Sequence, residues 1–88
     1  MNMLEMFFDE YEAEAWNRYA SCFEDVNTKI EGVPQEIVNA VCTILGEVAG
    51  QDWLYQPLHK FNGKSALELI KTEKGEKALK AFIMRLPN

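Results

Sequence analysis

Residues 53–86 read WLYQPLHKFNGKSALELIKTEKGEKALKAFIMRL, and this stretch decides the fold because it joins an anchor tryptophan, a turn, two helix starts and an amphipathic final helix. Asn62-Gly63 is a turn dipeptide, since Gly takes positive φ without steric penalty and Asn tolerates it better than most residues. Ser65 stands three residues before Glu68. That spacing predicts a capping box, the hydroxyl accepting from one amide and the carboxylate reaching back to another, at the start of a short helix over Ala66 to Ile70. Thr72 predicts a second start, capping a helix from about Glu73 to Arg85. Glu73 and Glu76 fall in its first turns and Arg85 in its last, as the helix dipole favours. Ala78, Leu79, Phe82, Ile83 and Leu86 form one apolar face, and Pro87 stops the helix.

The same residues, in that order, resemble the C-terminal toxin-binding domain of bacterial antitoxins of the MbcA/ParS/Xre type. That family pattern runs from Trp-Leu through Pro and Leu, then Gly and Ser/Thr-Pro-Leu-Glu-Leu, then Thr, two residues and Gly, then a helix ending in Arg-Ile or Arg-Leu. This chain supplies Trp53-Leu54, Pro57, Leu58, Gly63, Ser65, Leu67-Glu68-Leu69, Thr72, Gly75 and Arg85-Leu86, with Leu45-Gly46 as an upstream echo. The resemblance covers about residues 45–87. Ala66 stands where the family has Pro, a change that a first helical position accepts. Family members continue past Arg-Leu with a tail that reaches the toxin, whereas this sequence ends at Asn88, so neutralisation through such a tail is not expected here. The resemblance implies a protein that binds and occludes a toxin-like enzyme. NAD would then be that enzyme's substrate and not a ligand of this chain. It also implies partner contacts from the terminal helix, at Arg85, Met84, Lys77, Lys80 and Asn88, with Trp16, Tyr19 and Phe8 of the N-terminal segment beside them.

Upstream, Leu4, Phe7, Phe8, Tyr11, Ala15, Tyr19 and Phe23 recur at helical spacing, with Trp16 and Ala20 alongside, which predicts one helix from Met3 to about Phe23. Its aromatic stripe has two readings, a face packed on the protein's own core or a face left for a partner. Residues 26–32 should end it. Pro34 suits a first helical position, and Ile37, Val38, Val41, Ile44, Leu45 and Val48 predict the most buried helix. Gly46 is its C-cap or a site of close packing. A further short helix from Glu47 to Leu54 brings Trp53 to the core, with Gly50 as its weak point, and Pro57 closes it.

The expected architecture is therefore all-α, a compact irregular bundle of four to six helices with no sheet, forming one domain over residues 1–88. Residues 1–32 are its acidic, aromatic-rich segment and residues 33–88 its antitoxin-like region. Eighty-eight residues bury about 60% of the surface the unfolded chain exposes, so a partner or dimer contact would add useful stability.

Charge is unevenly placed. Residues 1–50 hold ten acids against Arg18 and Lys29, a net of −8, and residues 51–88 carry a net of +3, giving −5 for the chain. The acidic half repels phosphate backbones, so direct nucleic-acid binding is not expected. The basic half faces either an acidic partner or its own acidic half. Glu73 with Lys77 and Glu76 with Lys80 are i, i+4 pairs worth about 0.3 kcal/mol each, which reads the lysines as a solvated face.

No apolar run approaches the ~20 residues of a membrane span and the first residues have no basic leader, which makes the cytoplasm the expected compartment. Cys22 and Cys42 lack metal-ligand spacing and read as small buried hydrophobes. His59 reads as a surface residue with no nucleophile motif beside it. Gly46, Gly50, Gly63 and Gly75 are too scattered for a phosphate loop. The chain is expected to be a non-enzyme without cofactor or metal. Two rivals stand beside the antitoxin-like reading. One is an acidic inhibitor that mimics nucleic acid on another protein, of the kind phages use. The other is a homodimeric structural module whose aromatics are its self-interface.

Overall fold

The computed structural model describes residues 2–86. Its elements are α1 (Met3–Glu10), α2 (Ala13–Ala20), α3 (Gln35–Leu45), α4 (Glu47–Tyr55), β1 (Pro57–Leu58), β2 (Lys64–Ser65), α5 (Ala66–Leu69) and α6 (Glu73–Ile83), with a 3-10 turn at His59–Phe61 between the strands. The fold is mostly helical, with six helices among the described residues.

The chain is not free of sheet. β1 and β2 pair antiparallel, Pro57 opposite Ser65 and Leu58 opposite Lys64. Two-residue strands leave no alternation to read in a sequence, and the turn between them carries the pairing. Asn62 adopts left-handed φ 57°, Gly63 follows at φ 83°, and the Gly63 amide donates to the Leu58 carbonyl at 3.0 Å. The Asn62-Gly63 dipeptide thus closes a small hairpin.

Caps define the next two helices as their spacing predicts. The Glu68 amide donates to Ser65 Oγ and the Ser65 amide donates to Glu68 Oε1, both at 3.3 Å, completing the box. Thr72 Oγ1 accepts from the Gly75 amide at 2.9 Å. Gly75 is needed for room: a Cβ there would lie 2.1 Å from the Leu69 carbonyl oxygen, at the end of α5. α6 ends at Ile83, ahead of Pro87, which with Asn88 lies outside the described residues.

α3 is the central helix, burying Ile37, Val38, Ala40, Val41 and Cys42. Pro34 sits one position earlier than expected, as N-cap. Gly46 ends α3 at φ 96°, donating to the Cys42 carbonyl, and starts α4 in the same step. α4 then folds back on α3 where Gly50 faces Cys42, close enough that a Cβ would fall 2.9 Å from Cys42 Cα. The glycine that weakens α4 as an isolated helix is the one that lets the two helices meet. The loop before α3 is fixed by the buried Asn39. Its Oδ1 accepts from the Val26 amide at 3.0 Å and from Gln35 Nε2 at 2.8 Å, and its Nδ2 donates to Asp25 at 2.9 Å.

Three expectations need correction. The N-terminal segment is two helices, not one: Tyr11 and Glu12 take extended backbone angles (φ −65°, ψ 134° and φ −137°, ψ 123°) between α1 and α2. No Gly or Pro causes the break. Tertiary packing does, since it sets Phe7 and Trp16 into the core from two separately aimed helices, and like-charged Glu10 and Glu14 weaken a continuous one. Trp53 is only partly buried, stacked on Phe82, whereas Trp16 is 1% exposed. Cys22 is exposed because the chain leaves α2 just before it, while Cys42 is buried, and both thiols are free.

Candidate protein-binding surface

α6 packs chiefly on α1 and more lightly on α5 and α3, with Lys74, Lys77 and Arg85 along the α1 side. Asn2 caps α1, its Oδ1 accepting from the Glu5 amide at 2.8 Å. Phe7 enters the core against Phe61 and Phe82, at ring separations of 5.7 and 5.3 Å. Charges close the seam at both ends. Lys74 Nζ lies 3.3 Å from Glu5, and Arg85 Nε donates to Glu10 at 2.8 Å. Cations also sit over aromatic rings, Lys74 over Phe8 at 5.3 Å, Lys77 over Tyr11 at 5.9 Å and Arg85 over Phe7 at 5.9 Å. The acidic N-terminal half therefore meets the basic C-terminal half within one molecule. Exposed pairs of this kind contribute at most about 1 kcal/mol each, so Phe7 holds the seam and the charges set its register.

Where the first turns of α1 meet the end of α6, the surface opens into a groove of about 270 Å³ lined by Met3, Met6, Phe7, Phe82 and Leu86, with Lys60 and Arg85 as its cations. Methionine's unbranched, polarisable side chain adapts to varied apolar shapes, which suits a wall that accepts another protein's side chains. Lys60 lies 5.9 Å from the Phe82 ring centre and completes a cluster in which Phe82 also meets Phe61 at 5.4 Å and Trp53 at 6.1 Å.

The residues singled out in the sequence occupy different settings. Arg85 is exposed in the groove wall. Met84 caps the end of α6 and is partly buried. Lys77 pairs with Glu73 at 3.7 Å along the helix. Phe8 lies partly buried beneath Lys74. Tyr19 is partly buried, its hydroxyl donating to the Ile83 carbonyl at 3.4 Å, and burial raises its pKa above the usual 10.0. Lys80 is 8% exposed, its ammonium between Glu36 at 3.0 Å and Glu76 at 3.1 Å and 5.5 Å from the Trp16 ring. Burial alone would lower its pKa, but hydrogen bonds to Glu36 and Glu76 outweigh that and raise it. Trp16 is enclosed, and its indole Nε1 has no hydrogen-bond partner among the described residues. Asn88 lies outside the described residues. Of this set Arg85 lines the groove, while Lys80 and Trp16 join α2, α3 and α6 internally.

Of the groove residues sequence reasoning names only Arg85 as a partner contact; Phe7, Phe82 and Leu86 read there as apolar helix faces, and Met3, Met6 and Lys60 are assigned no role. Met3 and Met6 are three apart on one helix face, a signal that was present but outweighed by the aromatics beside them. Lys60 arrives only through the hairpin. Elsewhere, Val48 (77% exposed) and Tyr55 (59% exposed) stand out from α4. No described helix is long and apolar enough to cross a membrane. Comparison of the chain with protein-family models, curated proteins and solved structures finds no match.

Proposed function

We propose that the protein is a small binding module that engages and occludes a partner protein through the groove between α1 and the end of α6. The observation that carries this reading is the groove itself: an adaptable apolar wall beside two cations, at the Arg85-Leu86 end where the antitoxin resemblance places toxin contacts. Such a surface fits a partner segment that offers an apolar side chain next to a carboxylate. A toxin-like enzyme is the partner class the resemblance suggests, and the module's own role is non-enzymatic.

The test is capture by the tagged protein from its host cells at low and moderate salt, run beside Met6→Glu. A stoichiometric partner that survives moderate salt and is lost with Met6→Glu, at unchanged helical circular dichroism, supports the reading. A partner retained equally by the variant overturns the groove as its seat. One observation favours a second reading. Asp9, Glu12 and Glu14 are exposed and in no ion pair among the described residues, which suits an acidic inhibitor of a nucleic-acid-binding protein. That reading requires capture to fade as salt rises and nucleic acid to compete.

A further inference from the structure

The break between α1 and α2 has only a weak local cause, the like-charged i, i+4 pair Glu10 and Glu14. Tyr11 and Glu12 are neither Gly nor Pro, the apolar positions run in helical register across them, and the Glu12 side chain makes no capping hydrogen bond to α2. Two extended residues are the whole link. What chiefly holds the bend lies elsewhere, in the seat that α1 finds on α6: Phe7 against Phe61 and Phe82, Glu5 with Lys74, and Glu10 with Arg85. α2 is tied separately, by buried Trp16 and by Tyr19 on the Ile83 carbonyl.

From this arrangement we infer that the chain forms a homodimer by exchanging α1, the occupant of each α6 seat being α1 of a second copy. When Tyr11 and Glu12 turn helical, residues 3–20 become one helix about 27 Å long. α2 stays anchored, so α1 must leave its own seat. Among the described residues, the surface with matching chemistry is an aromatic pocket flanked by Lys74 and Arg85, the same seat on another molecule. Reciprocal exchange restores every α1–α6 contact, adds helical hydrogen bonds at the hinge and yields a closed two-fold pair. Exchange is therefore a balance between the association penalty and the hinge's helix propensity. It leaves the Met3–Met6 groove assembled, so it stands independently of the partner-binding proposal.

Two substitutions push the balance in opposite directions without touching the seat. Ala13→Pro suits the bent form, because Ala13 is the first residue of α2, whose amide lacks an intrahelical partner, and Glu12 before it already has extended angles. In the straight helix the same proline would clash with the carbonyl of Asp9. Glu12→Ala raises helix propensity at the hinge. Light scattering from micromolar to millimolar protein is expected to show a concentration-dependent dimer, with an association constant raised about fivefold by Glu12→Ala. Ala13→Pro is expected to lower it more than about 100-fold while the helical spectrum is kept.

The exchange itself is read by zero-length carbodiimide cross-linking of mixed 15N-labelled and unlabelled protein, since Lys74 Nζ and Glu5 Oε1 are 3.3 Å apart. In the isolated dimer, Lys74–Glu5 links joining heavy to light chains support exchange. A dimer whose Lys74–Glu5 links stay within one isotope, a dimer insensitive to Ala13→Pro, or a monomer at millimolar concentration in both wild type and Glu12→Ala overturns it.

Discussion

Trp16 on α2 and Trp53 on α4 both bring an indole to α6, yet one is sealed and the other is a partial cover. Trp16 lies beneath the Lys80 ammonium and stacks obliquely on Tyr19 at 5.7 Å, whereas Trp53 lies nearly parallel to Phe82 at 6.1 Å with part of its surface in water. The difference extends to the regions that carry them. Residues 53–86 take their shape from local chemistry: Asn62-Gly63 makes the hairpin, Ser65 and Thr72 start the helices, and Gly75 lets α6 begin against α5. Residues 3–20 take theirs from what they pack on. A region built by local rules sends Leu54, Leu79 and Ile83 fully into the core but sets its turns and helix starts without them, while one bent by packing depends on the few side chains that reach the core.

The largest effect should therefore come from Trp16. Trp16→Ala is expected to cost about 3–5 kcal/mol in urea denaturation, through lost burial and an unfilled cavity. Trp53→Ala, which removes a partly exposed ring, should cost only about 1–2 kcal/mol. A Trp53 variant as damaging as the Trp16 variant would end the distinction between the two. Gly75→Ala should come next, at about 2–3 kcal/mol, because its methyl would have to displace backbone at Leu69 and not a flexible side chain. A near-neutral result would mean that the α5–α6 junction yields freely and that the C-terminal region is less tightly specified than its caps suggest.

These three variants also mark what the sequence reveals. The Ser65 box, the Thr72 cap, the Gly46 link and the Asn62-Gly63 turn are legible because each depends on residue types at fixed short spacing. The bend at Tyr11–Glu12, the burial of Trp16 rather than Trp53 and the exposure of Cys22 are not, because helical periodicity marks a face as apolar without saying what it meets. Lys80 shows the same limit. Its i, i+4 pair with Glu76 is written in the sequence, but Glu36, forty-four positions upstream, and the Trp16 ring are what enclose it. In the groove, Arg85 is legible as the basic end of a helix, while Met3, Met6 and Lys60 arrive from elements far away in the chain.

Alkaline titration probes the packed region as a unit. Burial first, then the nearby Glu47 charge, lifts the Cys42 thiol above 9.0, with a hydrogen bond from Thr28 opposing them. Tyr19 is lifted above 10.0 by burial, and Lys80 above 10.5 by its two carboxylates against the opposing effect of burial. In each case the folded state holds its proton at a pH where the unfolded chain has released it. Stability is thus fully present below 9.0 and declines as pH rises through 9.0, 10.0 and 10.5. Denaturation midpoints between pH 8 and 11 should fall progressively, with Cys42→Ala removing the earliest part of the decline. A flat profile would place these groups in a looser, wetter setting than the packing implies.

The smallest expected change in stability is the one that bears most on function. Arg85→Glu sets two carboxylates face to face at the Glu10 seam, but both positions are substantially in contact with water, so the loss should stay below about 1 kcal/mol. Glu10→Arg combined with Arg85→Glu restores the attraction with its polarity reversed and should recover that loss. It does not restore a cation at position 85 on α6, where the groove needs one to meet a partner's carboxylate. If the seam alone governs Arg85, partner capture will recover with the double variant along with stability. Recovery of stability without recovery of capture would separate the two roles, assigning Glu10 to the fit between α1 and α6 and Arg85 to the partner.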